Sequence, residues 1–434
     1  MIRPEGLRAF RHRNYRLFFG GQAISLVGTW MQQVAQGWLV LQLTNDPFWL
    51  GLVAVAQFGP VLVFGLFGGL IADHLPKRQT LLVTQIVALV LALVLFGLTA
   101  TGVVEVWHVM VLAAMLGVAN AVDMPTRQAF AVELVGRNDM TNAVGLNAAL
   151  FNGSRIIGPA IAGLLIGAFD ISIAFLVNGL SYIAVVIAYL LMRDEDLRTR
   201  IPIARPTSWR DVVENLAEGA RYVRGTPLVL IAVTVVGLAA TFGMNFQVLV
   251  PPLADDILKV GPSGFGFLMA ASGVGSTIAA LWVAFSHRIG PWPIVLGAIV
   301  LGLASIVLAV STSFAVSLVA MFFAGLGAIA MAVTANATIQ ASVPDQLRGR
   351  VMSVYTTVFA GSVPAGGLFA GAIASQLGVP VAFMAGAVLT LAVGLGSLVW
   401  LRRIRRADRR ARAVRVEAAV GASGDPQLTI ARRR

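Results

Sequence analysis

Long apolar runs recur along almost the whole of this 434-residue chain, and they restrict what it can fold into. We count about twelve runs, each near the roughly 20 residues that a helix needs to cross about 30 Å of hydrocarbon. Such a chain folds as a helical bundle in a membrane, because helices satisfy their own backbone polar groups there. The predicted spans are residues 17–41, 48–72, 79–101, 107–123, 141–168, 171–192, 227–250, 264–286, 293–312, 314–335, 351–377 and 380–401.

The basic residues indicate which way the chain threads through the membrane. If the spans alternate in direction and the N-terminus is cytoplasmic, all but two of the 32 Lys and Arg residues lie in cytoplasmic segments. The exceptions are Arg155, inside an apolar run, and Lys259, in a loop on the other side. Retention of positive charge on the cytoplasmic face produces this distribution. We therefore expect a multi-pass protein of the inner (plasma) membrane with both termini in the cytoplasm.

Composition excludes several other classes of protein. The chain is 58% hydrophobic and 12% charged, against about 25% charged in soluble domains. Its net charge of +12 comes from short loops and one tail, which favours contact with anionic lipid over nucleic acid. Because it has no cysteine, disulfides and thiolate metal sites are excluded, and we expect no cofactor and no metal. The first span is long and polar-striped, which indicates a retained helix rather than a removed signal peptide.

The spans divide into two sets of six, joined by a longer polar segment. That segment carries a predicted amphipathic helix from Trp209 to Tyr222. After the last span, arginines and small residues dominate, and we expect disorder beyond about Val416. The predicted units are an N-terminal bundle at 1–192, a cytoplasmic linker at 193–226, a C-terminal bundle at 227–401 and a basic, disordered tail at 402–434.

Similar short segments follow one another in the same order in both halves. Residues 127–129 (Arg-Gln-Ala) precede a polar turn and a span with Gly-Pro-Ala at 158–160. Residues 339–341 (Ile-Gln-Ala) precede a basic turn and a span with Val-Pro-Ala-Gly-Gly at 363–367. Two matches at corresponding places favour a duplicated six-helix unit, as some transporter folds use.

The first span carries a polar stripe on an otherwise apolar helix. Hydrogen bonds between helices, at about 0.6–2 kcal/mol each, are one explanation. Four glutamines on an arc of about 100° favour a second, a water-filled central cavity. The stripe consists of Gln22, Ser25, Thr29, Gln32, Gln33 and Gln36, and the corresponding seventh span has Thr234, Thr241 and Asn245 on a narrow arc.

One basic side chain, Arg155, lies deep in an apolar run, about 20 Å into the fifth predicted span. Burying it costs on the order of 3 kcal/mol unless it reaches water or a partner. Asn152 lies on the same side of the helix. Arg155 either binds an anion or substrate, responds to protonation elsewhere, or donates to backbone carbonyls that a proline has freed. The sequence leaves these alternatives open.

No Asp or Glu lies in the middle of a predicted span. Asp123, at the inner end of the fourth span, comes closest, while Glu105 and His108 flank the outer end. A proton-coupled carrier needs a group whose charge changes during its cycle, and Asp123 is our first candidate. The alternative is a helix-end carboxylate that pairs with Arg127 or Arg137.

Two further segments have patterns that favour close contact between helices. The turn between the second and third spans has a glycine, an acid at a helix N-terminus and two bases at the membrane edge: Gly69, Asp73, Lys77 and Arg78. The fifth span has a row of small residues with a proline, which permits close packing or a gate: Gly145, Ser154, Gly158, Pro159, Ala162 and Gly163.

From about residue 10 to about 400 the chain resembles the major facilitator superfamily. The 69–78 turn is similar to its cytoplasmic signature, departing at His74 and Pro76, and the fifth-span row resembles its helix-five antiporter motif. The basic residue that many proton-driven members carry within helix four is missing. Further segments resemble the enterobactin-exporter-like branch, which includes siderophore and macrolide efflux carriers: 14–19, Gln22, 28–32, 38–41, 123–129, Asn152, Arg155 and 242–246.

The resemblance implies an all-α bundle of twelve transmembrane helices in two pseudo-symmetric halves that rock about a central cavity. It implies a monomeric carrier that exports a small amphipathic molecule, drug-like or a siderophore, in exchange for protons. Asp123 would carry the proton, and Gly69, Asp73, Lys77, Arg78, Gly158 and Pro159 would form the gate. The residues expected to contact substrate are Gln22, Thr29, Gln32, Gln33, Gln36, Asn152, Arg155, Thr241 and Asn245.

Other functions are weighed against export. A lysophospholipid transporter of the same fold would have a cavity open sideways to lipid. An integral-membrane transferase needs His, Asp or Glu at depth, and a channel needs rings of charges or carbonyls, neither of which appears. No Gly-Lys-Ser/Thr phosphate loop is present, so direct use of ATP is not expected.

Overall fold

The computed structural model describes residues 4–197, 209–286 and 290–423, and within them the side chains other than those of 4–6, 66–74, 137, 209, 210, 212 and 405–423. All regular secondary structure in these ranges is helical. The first half comprises a 3₁₀ helix, Pro4–Arg11, then α1 Arg13–Thr44, α2 Pro47–His74, α3 Lys77–Ala100, the long α4 Val106–Ala168, α5 Ile171–Leu190 and a 3₁₀ turn, Asp194–Asp196. The remainder comprises α6 Trp209–Gly225, α7 Pro227–Gly243, α8 Phe246–Pro252, a π-helical turn Leu253–Ile257, α9 Gly261–Phe285, α10 Trp292–Val310, α11 Phe314–Ser342, α12 Asp345–Leu377 and α13 Val379–Ser423.

Eleven helical segments in the described part of the chain are long and apolar enough to cross a membrane. Two of them come from α4, which we divide into α4a (Val106–Gly136) and α4b (Asn138–Ala168). The 32-residue α1 is also long enough to cross, but its polar stripe lowers its hydropathy. Because α1 packs along both α4 and α5, it is the twelfth helix of the bundle. The predicted all-α membrane fold is confirmed.

Helix packing repeats from one half to the other. In the first half α5 packs on α1 and α3, and in the second α13 packs on α7 and α10. The two halves meet where α2 contacts α12 and where α4b contacts α9. These two contacts are equivalent, because α9 follows α7–α8 as α2 follows α1, and α12 corresponds to α4b. The duplicated sequence therefore folds into a pseudo-symmetric pair.

The fourth span extends well beyond the predicted boundary at 123. The helix runs on to Gly136, whose dihedral angles (φ 76°, ψ 177°) mark the break before α4b, and Pro125 does not interrupt it. The prediction was wrong because Arg127 and Glu133 resemble loop residues. Both are paired with charges inside the bundle, Arg127 with Asp123 and Glu133 with Lys77, so the helix tolerates them.

The seventh span is broken where the sequence predicted a continuous helix. Met244 and Asn245 have non-helical dihedral angles between α7 and α8. The Asn245 side chain donates to the Thr241 carbonyl oxygen over 2.8 Å, which satisfies one of the carbonyls that the break exposes. The polar residues of this span therefore serve the break as well as the bundle interior.

The tail begins as a helix rather than as a disordered segment. α13 continues through the basic residues from 402 to Ser423, including the part beyond Val416 predicted to be disordered. Alanine and arginine are among the best helix formers, and no glycine or proline interrupts 402–420. Residues 424–434 lie outside the described part of the chain.

The linker helix predicted from Trp209 to Tyr222 is confirmed as α6. It packs against α12 and α7, where Glu218 pairs with Arg350. A Cβ added at Gly219 would lie 2.8 Å from the Arg350 carbonyl carbon, so the two backbones are in close contact. The rest of the linker, 198–208, lies outside the described residues.

Candidate substrate and coupling sites

The two halves are in contact from mid-depth to one side of the bundle. We call the side with Lys77, Arg78 and Arg350 the basic side. On the opposite side, Ser263 of α9 donates to the Gly163 carbonyl oxygen of α4b over 3.0 Å. A Cβ added at Gly163 would lie only 2.9 Å from the Pro262 carbonyl oxygen, so these helices meet backbone to backbone.

The contact between α4b and α9 extends down to the level of Arg155. A Cβ added at Gly273 would lie 2.8 Å from the Arg155 carbonyl oxygen. Nearer the basic side, a Cβ added at Gly145 or Gly153 of α4b would meet nothing within 4 Å. The close contacts of α2 with α12, at Gly51 with Gly367 and at Gly371 with Pro47, also lie toward the opposite side, so the halves are joined there and diverge toward the basic side.

A layer of polar and aromatic side chains lies where this divergence begins. Gln247 of α8 donates to Gln33 of α1 over 2.9 Å, which links the two halves. Trp38 and Phe265 stack across the same boundary with ring centroids 6.2 Å apart. Six side chains meet here so closely that no space for a water molecule is left between them: Trp30, Gln33, Val34, Gln247, Phe265 and Met269.

Arg155 lies at the edge of this layer. Its guanidinium carbon is 5.6 Å from the centroid of the Trp30 ring, within the range of a cation–π contact. Phe151, one helical turn earlier, meets Trp30 edge-on at 5.6 Å. In the part of the chain that the structure describes, neither an acidic side chain nor a hydrogen-bond acceptor pairs with Arg155. Asn152 donates instead to the Ala148 carbonyl oxygen over 2.8 Å.

Most of the polar stripe on α1 is engaged in contacts between helices within the first half. Gln36 donates to Gln57 of α2 over 3.3 Å, and Gln32 accepts from Asn178 of α5. Gln22 accepts from Arg127 of α4a over 2.9 Å. All four glutamines thus hydrogen-bond to another helix in this conformation, three of them within the first half and Gln33 to Gln247 across the halves, and only Gln33 reaches the central layer.

Two of the three threonines of the stripes hydrogen-bond within their own helices. Thr29 donates to the Ser25 carbonyl oxygen over 2.9 Å, and Thr241 to the Gly237 carbonyl oxygen over 2.8 Å. Asn245, 7% exposed, faces the broken helix. In the second half it is therefore Gln247 that contacts the centre.

Asp123 belongs to a buried network. It is 1% exposed, and its Oδ1 accepts from Thr84 over 2.7 Å and from Gln85 over 2.9 Å. Its Oδ2 accepts from Arg127, four residues on in the same helix. The fourth helix therefore does contain a basic residue, Arg127, because that helix is longer than predicted.

The network continues from Arg127 into α1 and α5. Gln22, which accepts from Arg127, donates to the Tyr189 hydroxyl over 3.4 Å. Arg127 Nε and Gln85 Oε1 are buried without a hydrogen-bond partner among the described residues. A change in the charge of Asp123 would thus act on three other helices, α1, α3 and α5.

The predicted gate residues divide between the two sides. Lys77 pairs with Glu133 of α4a, and Arg78 pairs with Asp194 at 2.6 Å and donates to the Tyr189 carbonyl oxygen over 2.8 Å. Both therefore fasten α3 within the first half. Gly69 and Asp73, also predicted as gate residues, lie outside the part of the chain whose side chains are described.

Gly158 packs against α1 within the first half, whereas Pro159 lies in the closed contact between the halves. A Cβ added at Gly158 would lie 2.8 Å from the Val27 carbonyl oxygen of α1, so α1 and α4b are tightly packed there. The helix stays regular at Pro159, whose carbonyl faces Gly266 of α9. Gly158 thus permits close packing of α1 on α4b, and Gly266 permits the contact between the halves that shuts this side.

A family model described as transmembrane secretion effector, from the major facilitator superfamily, matches residues 5–424. The chain belongs to this family. As a member it is a multi-pass membrane transport protein.

Curated relatives of this transmembrane secretion effector protein carry the names of several carriers. The Tap multidrug efflux pump of Mycolicibacterium fortuitum is 29% identical over 86% of this chain and 92% of its own length. Macrolide efflux protein A of Streptococcus pyogenes is 22% identical over 89% and 96%. The staphyloferrin A transporter of Staphylococcus aureus is 25% identical over 61% of this chain and 66% of its own length.

Solved structures show the same fold. A POT family transporter in complex with 5-aminolevulinic acid has a TM-score of 0.73 at 11% identity, covering 91% of this chain and 97% of that one. The nucleoside transporter NupG has a TM-score of 0.70 at 11% identity, covering 92% and 99%. At these identities the likeness establishes the helical arrangement alone.

Several residues of both sites were missed in the sequence. Amide side chains inside apolar runs indicate helix contacts or a cavity, as in α1, and this pattern is also present at Gln57, Asn178 and Gln247. Thr84 and Gln85 carried the same signal. The neighbours of Arg155 had no such signal, because Trp30 and Phe151 look like ordinary apolar residues of a span.

Proposed function

We propose that this protein is a secondary active exporter of small amphipathic molecules in the plasma membrane, working by alternating access and driven by proton exchange. The single observation that supports this most is the divergence of the halves on one side of the central layer. In this layer, at mid-depth, the cation Arg155 lies against an aromatic ring and near the amides of Gln33 and Gln247. The relatives named as efflux proteins support the same direction of transport.

In this proposal the basic side faces the cytoplasm. The chain would then be open inward here, with α4b–α9 and α2–α12 closed outward. Gln33, Arg155 and Trp30 would contact the substrate, together with Gln247. Gln22, Gln32, Gln36 and Asn245 would hold the helices that surround it.

Proton exchange is assigned to Asp123. Its protonation would remove the counter-ion of Arg127, and the freed guanidinium would change its contact with Gln22 on α1. α1 also carries Gln33 and Trp30, so a charge change on the basic side would reach the central layer through one helix. Arg127 Nε and Gln85 Oε1 are buried without a hydrogen-bond partner, which costs about 1–3 kcal/mol each. A rearrangement of the network that gave these atoms partners would therefore be favourable.

Uptake by inverted vesicles, across a panel of drug-like compounds, ferric-ion chelators and dye-labelled lysophospholipids, tests the proposal. We expect uptake of one or more soluble compounds that falls at least about 10-fold on adding a protonophore, as expected for a proton-driven step. Vesicles with an empty vector are the control. Transport of lysophospholipid alone would replace the exporter assignment, and uptake unaffected by the protonophore would remove the role of the proton.

A further inference from the structure

The central layer has an uncompensated positive charge. Arg155, at mid-depth, has no acidic partner in the part of the chain that the structure describes. Asp123 and Glu133, acids within the spans, are already paired with Arg127 and Lys77 near the basic side. A desolvated cation without a counter-ion is costly, so its persistence is explained most directly by a partner that arrives from outside.

The donors of Arg155 remain available for that partner. A guanidinium has five N–H donors in a planar fork, which matches a carboxylate in a two-point contact. Trp30 contacts Arg155 through the face of its ring. Unlike a hydrogen bond, this contact leaves the N–H donors of Arg155 unused. The fork is therefore oriented by an aromatic ring and still free to bind an anion.

The surroundings of Arg155 define the rest of the ligand. Trp30, Phe151 and Phe265 supply aromatic surface around the layer, and Met269 adds a flexible apolar side chain. Gln33 and Gln247 supply amide donors and acceptors. These groups suit an aromatic or apolar body that carries a few polar atoms beside its acidic group.

From this geometry we propose that the central site selects amphipathic anions, small molecules with a carboxylate or similar acidic group next to an aromatic or apolar body. The inference rests on the proposed export function and narrows its substrate class. Cationic amphiphiles are disfavoured, because a positive ligand would meet Arg155 with no acid beside it. Outward movement of an anion would also be favoured by a membrane potential that is negative inside.

Three dansyl compounds that differ mainly in charge test this: dansylglycine (anionic), dansylglycinamide (neutral) and dansylcadaverine (cationic). Binding to the purified full-length protein is followed by dansyl emission on tryptophan excitation. We expect dansylglycine to bind about 10- to 100-fold more tightly than the amide, as for a charge-assisted contact, and the cation to bind most weakly. Arg155→Gln should remove the preference, and Arg155→Lys should retain part of it.

A matched control removes an arginine outside the layer. Arg348 is exposed and pairs with Asp345 on the basic side, so Arg348→Gln should leave all three affinities unchanged. Equal binding of the three compounds, tighter binding of the cation, or an Arg155→Gln variant that keeps the preference for dansylglycine would overturn the inference.

The export function is tested separately, by uptake of the compound panel into inverted vesicles. Transport of other compounds without a preference for anions would refute the substrate class and leave the carrier standing. Selective binding of dansylglycine with no transport of any compound would instead support the anion site and contradict the export function.

Discussion

Two arginines on the same long helix have opposite surroundings. Arg127 of α4a contacts Asp123 in its own helix and Gln22 in α1. Arg155 of α4b contacts the face of Trp30 and has no acidic partner within the described residues. A charge that has its counter-ion inside the protein holds helices together, whereas one that lacks a counter-ion is available to a ligand. The comparison assigns coupling to the first arginine and substrate to the second.

The largest difference is expected in stability. Arg127→Met leaves Asp123 as an unpaired buried carboxylate, which should cost about 3–5 kcal/mol, whereas Arg155→Met removes an unpaired charge and should be neutral or stabilising. Thermal unfolding of the purified variants in detergent measures both. Adding Asp123→Asn to Arg127→Met should recover part of the loss. Equal destabilisation by the two Met variants would abolish the distinction.

Substitution of Arg155, which should have little effect on stability, should have a large effect on transport. We expect Arg155→Ala to reduce export of an anionic substrate about 100-fold or more, a loss of roughly 3 kcal/mol, with unchanged abundance in the membrane. Initial rates in inverted vesicles and immunoblots of the same vesicles check both quantities. Arg155→Lys, which keeps the charge but not the planar fork, should lie between. Wild-type rates in the Ala variant would end the substrate role of Arg155.

Asp123→Asn tests the coupling role with a smaller effect. The amide keeps the shape of the carboxylate but cannot exchange a proton, so the protonophore effect on uptake should disappear, with a change of about 10-fold in rate. The affinity for dansylglycine, measured by dansyl fluorescence, should lose its dependence on pH in this variant, because the charge state at position 123 is fixed. Protonophore-sensitive transport in Asp123→Asn would place the proton site elsewhere.

The smallest effect is expected at Asp170, away from both arginines. Its carboxylate accepts from the Ser172 backbone N–H over 2.8 Å at the start of α5. Hydrogen bonding to the Ser172 side chain, and next to the Ser172 backbone, lowers the pKa of Asp170 below its ordinary 3.8. Asp170→Ala should cost about 1 kcal/mol at neutral pH. The lowered pKa means that this contribution is present above the unfolded-state pKa and is lost as the pH falls through the folded-state value.

Unfolding temperatures of wild type and Asp170→Ala should therefore converge as the pH falls from about 5 to about 3. Asp170→Asn, which can still cap the helix, is the control and should lie close to wild type. A difference that stays constant over this range would contradict the role of the carboxylate.

The bundle was largely predictable because hydropathy and charge distribution act on whole segments. The boundary at 123 failed because Arg127 and Glu133 look like loop residues until their partners are known, and Asp123 at i−4 from Arg127 was the available signal. The break at Met244 left no mark in hydropathy.

Within the sites, residue type was visible but direction was not. Gln32 and Gln33 are neighbours in sequence, yet one contacts α5 and the other the opposite half. Since adjacent residues differ by about 100° around a helix, the residues of one stripe face several different neighbouring helices. Which of its residues reach the centre depends on tertiary packing, which also determines that Trp30 covers Arg155.

Accessibility of the central layer from each side is the most direct test of alternating access. The natural chain has no cysteine, so Gln33→Cys introduces a single thiol that impermeant maleimide can label in right-side-out or inverted vesicles. We predict labelling from the basic side at rest, and labelling from the opposite side once substrate and a proton gradient are supplied. A thiol at position 33 that stays sealed from both sides under every condition would contradict the carrier account.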